Sequence, residues 1–302
     1  MITINGQSTS AFVNNFNDGT KQIRFPDMFN RHNLGPDLLF TWLYDSDEEI
    51  MTLWYLVNHF RETDYIFDNP TYVLKVPYLP NARMDRVKEF FSSTEKSNPR
   101  EVFTLKYFCE LINLMNFNKV YTFDVHSPVA FSLLKNAEDI SPDINIRDAI
   151  NSVRRETNKD VVIVVPDMGA YQRYSNMRSL AGLEAISGIK IRDWHTRAIT
   201  NLTLAPITSK TKLTKDCLKD KAVLIIDDII GTGGSISLVI DKLKSVLGAQ
   251  DIYAYCSHLE NGALQYGESK ILDKIENHEI KKIFTTNSIF RKKNPVVDMK
   301  LF

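Results

Sequence analysis

The sequence predicts an α/β protein of two tandem domains, each a mainly parallel sheet flanked by helices. Three observations carry that expectation. Short β-rich runs alternate with longer helical patterns along the 302 residues, and strand, helix, strand in that rhythm marks parallel layers. Several runs, VVIVV (Val161–Val165) above all, are continuous in Val and Ile, as strands buried on both faces are. The length suits two domains of ordinary size, and a polar stretch, Asn136–Thr157 with Ser141-Pro142-Asp143 inside it, separates the early strands from VVIVV. The boundary is placed there, giving domains 1–145 and 146–302, with the last residues free to pack back on the first.

In chain order the expected strands are Tyr72–Leu79, Lys119–Val125, Val161–Val165, Ala222–Asp227, Ile252–Ser257 and Lys282–Thr286. Helical patterns lie between them at Glu101–Met115, Tyr174–Ala185 and Ser235–Leu247. No repeat of solenoid period and no low-complexity tract interrupts the series.

Composition excludes several classes of function. Lys+Arg and Asp+Glu both total 37, so no net field draws the chain to nucleic acid or to a membrane surface. No apolar run approaches the roughly 20 residues of a membrane span, and MITINGQSTSAF has no basic-then-apolar leader pattern. Cys109, Cys217 and Cys256 are odd in number and widely spaced. They read as reduced, small apolar residues in a cytoplasmic protein, neither a disulfide framework nor a zinc set.

The densest chemistry sits in VLIIDDIIGTGGS, Val223–Ser235. In open α/β sheets ligands bind beyond the carboxyl ends of the strands, and this apolar run delivers Asp227 and Asp228 to that edge. Two carboxylates there can accept hydrogen bonds from sugar hydroxyls or help hold a hydrated Mg²⁺. Gly231-Thr232-Gly233-Gly234-Ser235 follows, then a helical pattern. Glycines let backbone approach an anion, and N–H groups at a helix start attract phosphate. The stretch reads as a sugar-phosphate clamp. It is not a Walker loop, because no Gly-Lys-Ser/Thr follows the glycines. The plainer alternative is a tight turn with two capping aspartates.

LIIDDIIGTGGS resembles the phosphoribosyl diphosphate (PRPP) motif of phosphoribosyltransferases and of ribose-phosphate diphosphokinases, the PRPP synthetases. Other segments favour the diphosphokinases. PYLPNARMDR (Pro77–Arg86) is similar to their ATP-contacting segment and TFDVH (Thr122–His126) to a second ATP segment. VVPDMGA (Val164–Ala170) resembles their pyrophosphate loop, while AYCSHLENGA (Ala254–Ala263) and KIFTTNSI (Lys282–Ile289) match late strands and loops. Order and spacing hold from about Arg24 to Ile289, nearly the whole chain. The resemblance implies two tandem phosphoribosyltransferase-like domains with the site between them. It implies a Mg²⁺-dependent transfer of the β,γ-diphosphate of ATP to the 1-hydroxyl of a ribose 5-phosphate compound.

By that resemblance Arg83 and Asp85 contact ATP, a guanidinium fork being suited to phosphate oxygens. His126 contacts Mg-ATP with Asp124 in support, and Asp167 is the second metal-linked residue. Lys190 and Arg192, in GIKIRDWHTRAIT with Arg197, carry catalysis at the base of a loop; phosphoryl transfer depends on positioning and on neutralising the moving charge. Asp227 and Asp228 orient the ribose, and Gly231 to Ser235 take its 5-phosphate. Ile23-Arg24-Phe25-Pro26-Asp27 resembles the segment that reaches a neighbouring subunit's site, with Phe25 stacking on adenine and Asp27 accepting from its amino group. A homo-oligomer, dimer or hexamer, follows. On residue type alone Phe25 reads equally as core, Asp167 as a turn former and His126 as a structural or exposed side chain, while His195 is a further group able to touch phosphate.

The chain departs from the family at Met84, where a Gln is usual, at Met28 and Phe29 in place of Gly and Glu, and in a longer insert, Lys88–Arg100. Gly231 replaces the third acid of the PRPP motif. One carboxylate fewer beside the phosphate admits either ribose 5-phosphate or a ribose whose 5-phosphate carries more, such as ADP-ribose. The rivals are a phosphoribosyltransferase that consumes PRPP and an inactive member serving as scaffold or sensor.

Overall fold

Alternation sets the first sheet. In DLLFTW (Asp37–Trp42, β3) the side chains of Leu38, Phe40 and Trp42 point inward while those between them are more exposed. The computed structural model of the chain describes residues 1–63, 67–89, 100–192, 199–208 and 211–302, and these divide between Ile140 and Ser141 into two units.

The first unit is a sheet of Ile2–Ile4 (β1), Gln7–Ser8 (β2), β3, Thr71–Lys75 (β4), Lys119–Phe123 (β5) and Ala137–Ile140 (β6) in the order β6-β5-β4-β3-β1-β2. β3 to β6 are mutually parallel, and β1 runs antiparallel to both neighbours. Helix Glu49–Glu62 (α1) buries Ile50, Leu53, Leu56, Val57 and Phe60 along one stripe. Thr104–Leu114 (α2) buries Leu105, Phe108, Cys109 and Ile112, and both stripes join one core with β3 and β4.

The second unit is a sheet of Val161–Val165 (β7), Ala185–Arg192 (β8), Ile199–Pro206 (β9), Ala222–Ile230 (β10), Asp251–Leu259 (β11), Ile283–Thr286 (β12) and Val297–Lys300 (β13), ordered β9-β8-β7-β10-β11-β12-β13. Every neighbouring pair is parallel except β8 with β9. The Val/Ile runs divide cleanly between its faces. Val162, Val164, Val223 and Ile225 pack against Gly234–Leu247 (α5). Val161, Ile163, Val165, Leu224 and Ile226 pack against Asp143–Thr157 (α3).

The structure moves two expectations. A junction after Asn145 would cut α3, a continuous helix whose buried face of Ile146, Ala149, Ile150 and Val153 belongs to the second core. Tyr174–Ala185 is no helix: a short helix, Met168–Tyr174 (α4), ends there, Gly182 takes φ +79°, and Ala185 begins β8. The chain end adds β13 to the edge of the second sheet, where Lys300 pairs with Asp148 at 2.8 Å. Cys109 and Cys256 are buried and Cys217 half-buried, all as free thiols. Among the described residues no helix is long and apolar enough to cross a membrane.

Candidate active site

In the second sheet β10 outlasts its neighbour. β7 pairs with β10 only as far as Val164 opposite Ile225, whereas β11 follows β10 to Ile230. Asp227 and Asp228 therefore stand where β7 has already turned into Pro166-Asp167, which opens one side of β10 at the carboxyl edge. Asp228 is 4% exposed and Asp227 half-buried, and the Asp228 N–H donates to Asp227 Oδ1 at 3.1 Å. Loss of solvent, then the neighbouring Asp228 charge, pushes the Asp227 carboxyl well above the ordinary carboxylate range.

Gly231 to Ser235 lead from that edge into α5. Gly233 caps the helix at φ +83°, and an added Cβ would meet Ile271 at 2.6 Å, so only glycine fits. No side chain caps this helix start, and first-turn N–H groups have no acceptor within a helix. The turn is clamped by the chain that follows β11: the Lys270 N–H donates to Thr232 O at 2.7 Å.

Asp167 caps α4, its carboxylate accepting from the Ala170 N–H at 3.1 Å and from Lys190 Nζ at 2.8 Å. Burial pushes the Asp167 carboxyl up, but the Lys190 ammonium and the amides of Ala170 and Gly169 outweigh it and hold it low. Gly188 sets the spacing, because a Cβ there would meet Pro166 O at 2.5 Å. Strand β8 can thus run close enough to the loop for Lys190 to reach Asp167. Arg192 is the last residue of β8, and its side chain lies outside the described residues, as do His195 and Arg197. The insert Lys88–Arg100 also falls largely outside them.

Two features of this edge were not among the expected site residues. At the far end of α4, Arg173 Nη1 lies 3.3 Å from Asp228 Oδ2. On β11 itself, His258 is 1% exposed and its Nδ1 shares a hydrogen bond of 2.8 Å with Ser288 Oγ, while Thr286 Oγ1 donates to Ser257 O at 2.7 Å. The late segments that carry the resemblance thus brace the edge from within.

In the first unit β4 and β5 are adjacent and parallel, which brings Pro77–Arg86 and Thr122–His126 to one sheet edge. Ser127 Oγ donates to Asp85 Oδ2 at 2.8 Å and ties the two segments together. Asp139 orders the second: it accepts from Thr122 Oγ1 at 2.7 Å and from the Val125 N–H at 3.2 Å. Asp124, 3% exposed, bends there at φ +45°, leaving His126 half-buried and Arg83 exposed. Phe25 is set against the first core, its ring stacked on His59 at 4.8 Å and close to Phe12 and Phe60. Asp27 opens an exposed turn beside it.

Among the described residues no three His, Cys, Asp or Glu side chains form a metal cage. Mg²⁺ favours one or two carboxylates plus substrate phosphates and waters, and a single anionic Asp167 in a loop suits a Mg²⁺ that arrives on nucleotide phosphates.

A phosphoribosyl transferase domain matches residues 139–286. The ribose-phosphate pyrophosphokinases of Corynebacterium ammoniagenes and Bacillus cereus are each 27% identical over 292 residues, 95% of this chain and 79% of those proteins. Among solved structures, the phosphoribosylpyrophosphate synthetase from Mycobacterium smegmatis superposes with a TM-score of 0.68 at 15% identity, over 96% of this chain and 85% of that one. That likeness extends the two-unit α/β architecture to the whole chain, as two tandem phosphoribosyltransferase-like domains.

Proposed function

We propose that the chain, 27% identical to ribose-phosphate pyrophosphokinases over 95% of its length, is a divergent member of that family and transfers the β,γ-diphosphate of ATP to the 1-hydroxyl of a ribose 5-phosphate compound. The O1–Pβ bond forms, the bond from Pβ to the α–β bridging oxygen breaks, AMP leaves and the hydroxyl proton is released. The carrying observation is the acid pair Asp227–Asp228 running into an uncapped, glycine-opened helix start. Carboxylates accept from ribose hydroxyls, and the free amides of Thr232 to Ser235 bind its phosphate.

Lys190, 8% exposed in its side chain, supports a role in neutralising the transferring group, with Arg192 beside it on the strand. Arg83, Asp85 and His126 would serve ATP. Asp167 and His126 would hold Mg²⁺, which offsets phosphate charge when bound. Phe25 and exposed Asp27 would meet the adenine of ATP on a neighbouring subunit, which makes the enzyme a homo-oligomer, dimer or hexamer.

Gly231 favours a second form of this reading, in which the acceptor is a ribose extended at its 5-phosphate, such as ADP-ribose. The test is AMP release from Mg-ATP with ribose 5-phosphate and with ADP-ribose in parallel, with chelation of Mg²⁺ expected to stop it. AMP with the first alone assigns PRPP synthesis, and AMP mainly with the second assigns the extended acceptor. No AMP with either, alongside nucleotide binding, returns the scaffold or sensor reading. Use of PRPP without ATP would make the chain a phosphoribosyltransferase.

A further inference from the structure

Three carboxylates and two cations meet at the edge of the second sheet. Lys190 pairs with Asp167 at 2.8 Å and Arg173 with Asp228 at 3.3 Å. Asp227 is the third acid, and among the described residues it has no cation within ion-pair distance. Asp228 is the most deeply placed of the three, with 6% of its side chain exposed against 21% for Arg173. A buried carboxylate demands a paired cation, and removing one partner of such a pair leaves an uncompensated charge. A guanidinium meets a carboxylate with a fixed fork, so it constrains the plane of the acid as well as its charge.

Resting on the acceptor site proposed above, we infer that Arg173 is a positioning residue for acceptor binding: by pairing with Asp228 it fixes that acid and leaves Asp227 as the open acceptor for the ribose hydroxyls. Three links support the assignment. The Asp228 backbone N–H donates to Asp227 Oδ1 at 3.1 Å, so the Asp227 carboxylate is anchored to the backbone of the residue whose side chain Arg173 pairs. Arg173 sits near the end of the helix that Asp167 caps, and Tyr174 beside it is fully buried in the second core. Strand β10 carries both acids between buried Ile226 and Ile230, which leaves the side chains little freedom except through their partners. Arg173 then acts through Asp228 and need not touch the acceptor itself.

The test is a double-variant cycle on the full chain, read by calorimetric binding of ribose 5-phosphate, ADP-ribose and Mg-ATP. Arg173→Gln is expected to weaken the bound acceptor by about tenfold or more and Mg-ATP by less than about twofold, with R173K restoring part of the loss. D228N and R173Q/D228N are expected to bind acceptor alike, because without the carboxylate Arg173 has nothing to hold. The double variant also leaves no uncompensated charge at position 228, so this comparison serves even where R173Q alone does not fold. Independent, multiplying losses in the cycle, or R173Q binding acceptor as the wild type does, would overturn the inference while the proposed function stands. A wild type that binds neither acceptor would overturn the proposed function and the inference with it.

Discussion

The Lys190 ammonium lies 2.8 Å from Asp167 Oδ2, with 8% of the lysine side chain exposed against 45% of the aspartate. The lysine is thus held at the loop by a paired carboxylate, and its long stem is fixed before any ligand arrives. Preorganised charge of this kind acts most where charge develops during transfer. Lys190→Ala is expected to cut turnover by about a hundredfold or more while the affinity for Mg-ATP changes only a few-fold. Steady-state kinetics paired with nucleotide titration checks this, and equal losses in both would remove Lys190 from the chemistry.

Asp227 carries the clearest pH signal. Burial, then Asp228, raises its carboxyl above the ordinary range, so the folded chain holds a proton that the unfolded chain has released. Stability from this group is present at low pH and is lost as pH rises from the ordinary carboxylate value through the raised one. Acceptor binding runs the other way. Ribose hydroxyls donate best to an ionised carboxylate, so affinity rises with pH through the same window and binding releases a proton. Calorimetry in buffers of different ionisation enthalpy measures that proton, and the difference between wild type and Asp227→Asn separates it from titration of the sugar phosphate. Equal proton release by the two proteins would refute the assignment to Asp227.

Backbone spacing yields a third expectation. At Gly188 an added Cβ would meet Pro166 O at 2.5 Å, and at Gly233 it would meet Ile271 at 2.6 Å with φ at +83°. Gly233→Ala forces a left-handed alanine against a packed side chain, a strain of about 1–2 kcal/mol before the clash is added. Gly188→Ala pushes β8 off the loop that holds Asp167. Both variants are expected to unfold at lower urea. Gly233→Ala should also raise KM for the acceptor, and Gly188→Ala should lower kcat by disturbing Lys190. Interchanged kinetic effects would mean that the two glycines do not serve these separate loops.

What the sequence made legible follows from range. Strands such as Val161–Val165 and Ala222–Ile230 were readable because burial on both faces demands continuous Val and Ile. The glycine-opened helix start was readable because its parts are contiguous. Tyr174–Ala185 misled because Tyr174, Met177, Leu180 and Leu183 recur at helical spacing, yet they pack onto one cluster from a turn. There Asp143 accepts from the Ser179 N–H at 2.9 Å and Gly182 is left-handed. Partners distant in sequence were out of reach. Lys190 with Asp167, Ser127 with Asp85 and Arg173 with Asp228 meet only once the parallel strands align their ends.

Gly231 gives the last prediction. It stands between the acid pair and the helix start, where, on the acceptor site proposed above, a side chain would lie beside the acceptor's 5-phosphate. A side chain in that place takes up room that the joined group needs, and a difference of about 1.4 kcal/mol is already tenfold in a ratio of affinities. Gly231→Asp is therefore expected to raise the kcat/KM ratio of ribose 5-phosphate over ADP-ribose by about tenfold or more. The loss should fall mainly on the extended acceptor, because the added side chain would crowd the group joined to its 5-phosphate. Competition between the two acceptors in one reaction, with the products separated by anion exchange, measures the ratio directly. An unchanged ratio would mean that acceptor choice is set elsewhere in the site, and that the missing acid only loosens the grip on the ribose.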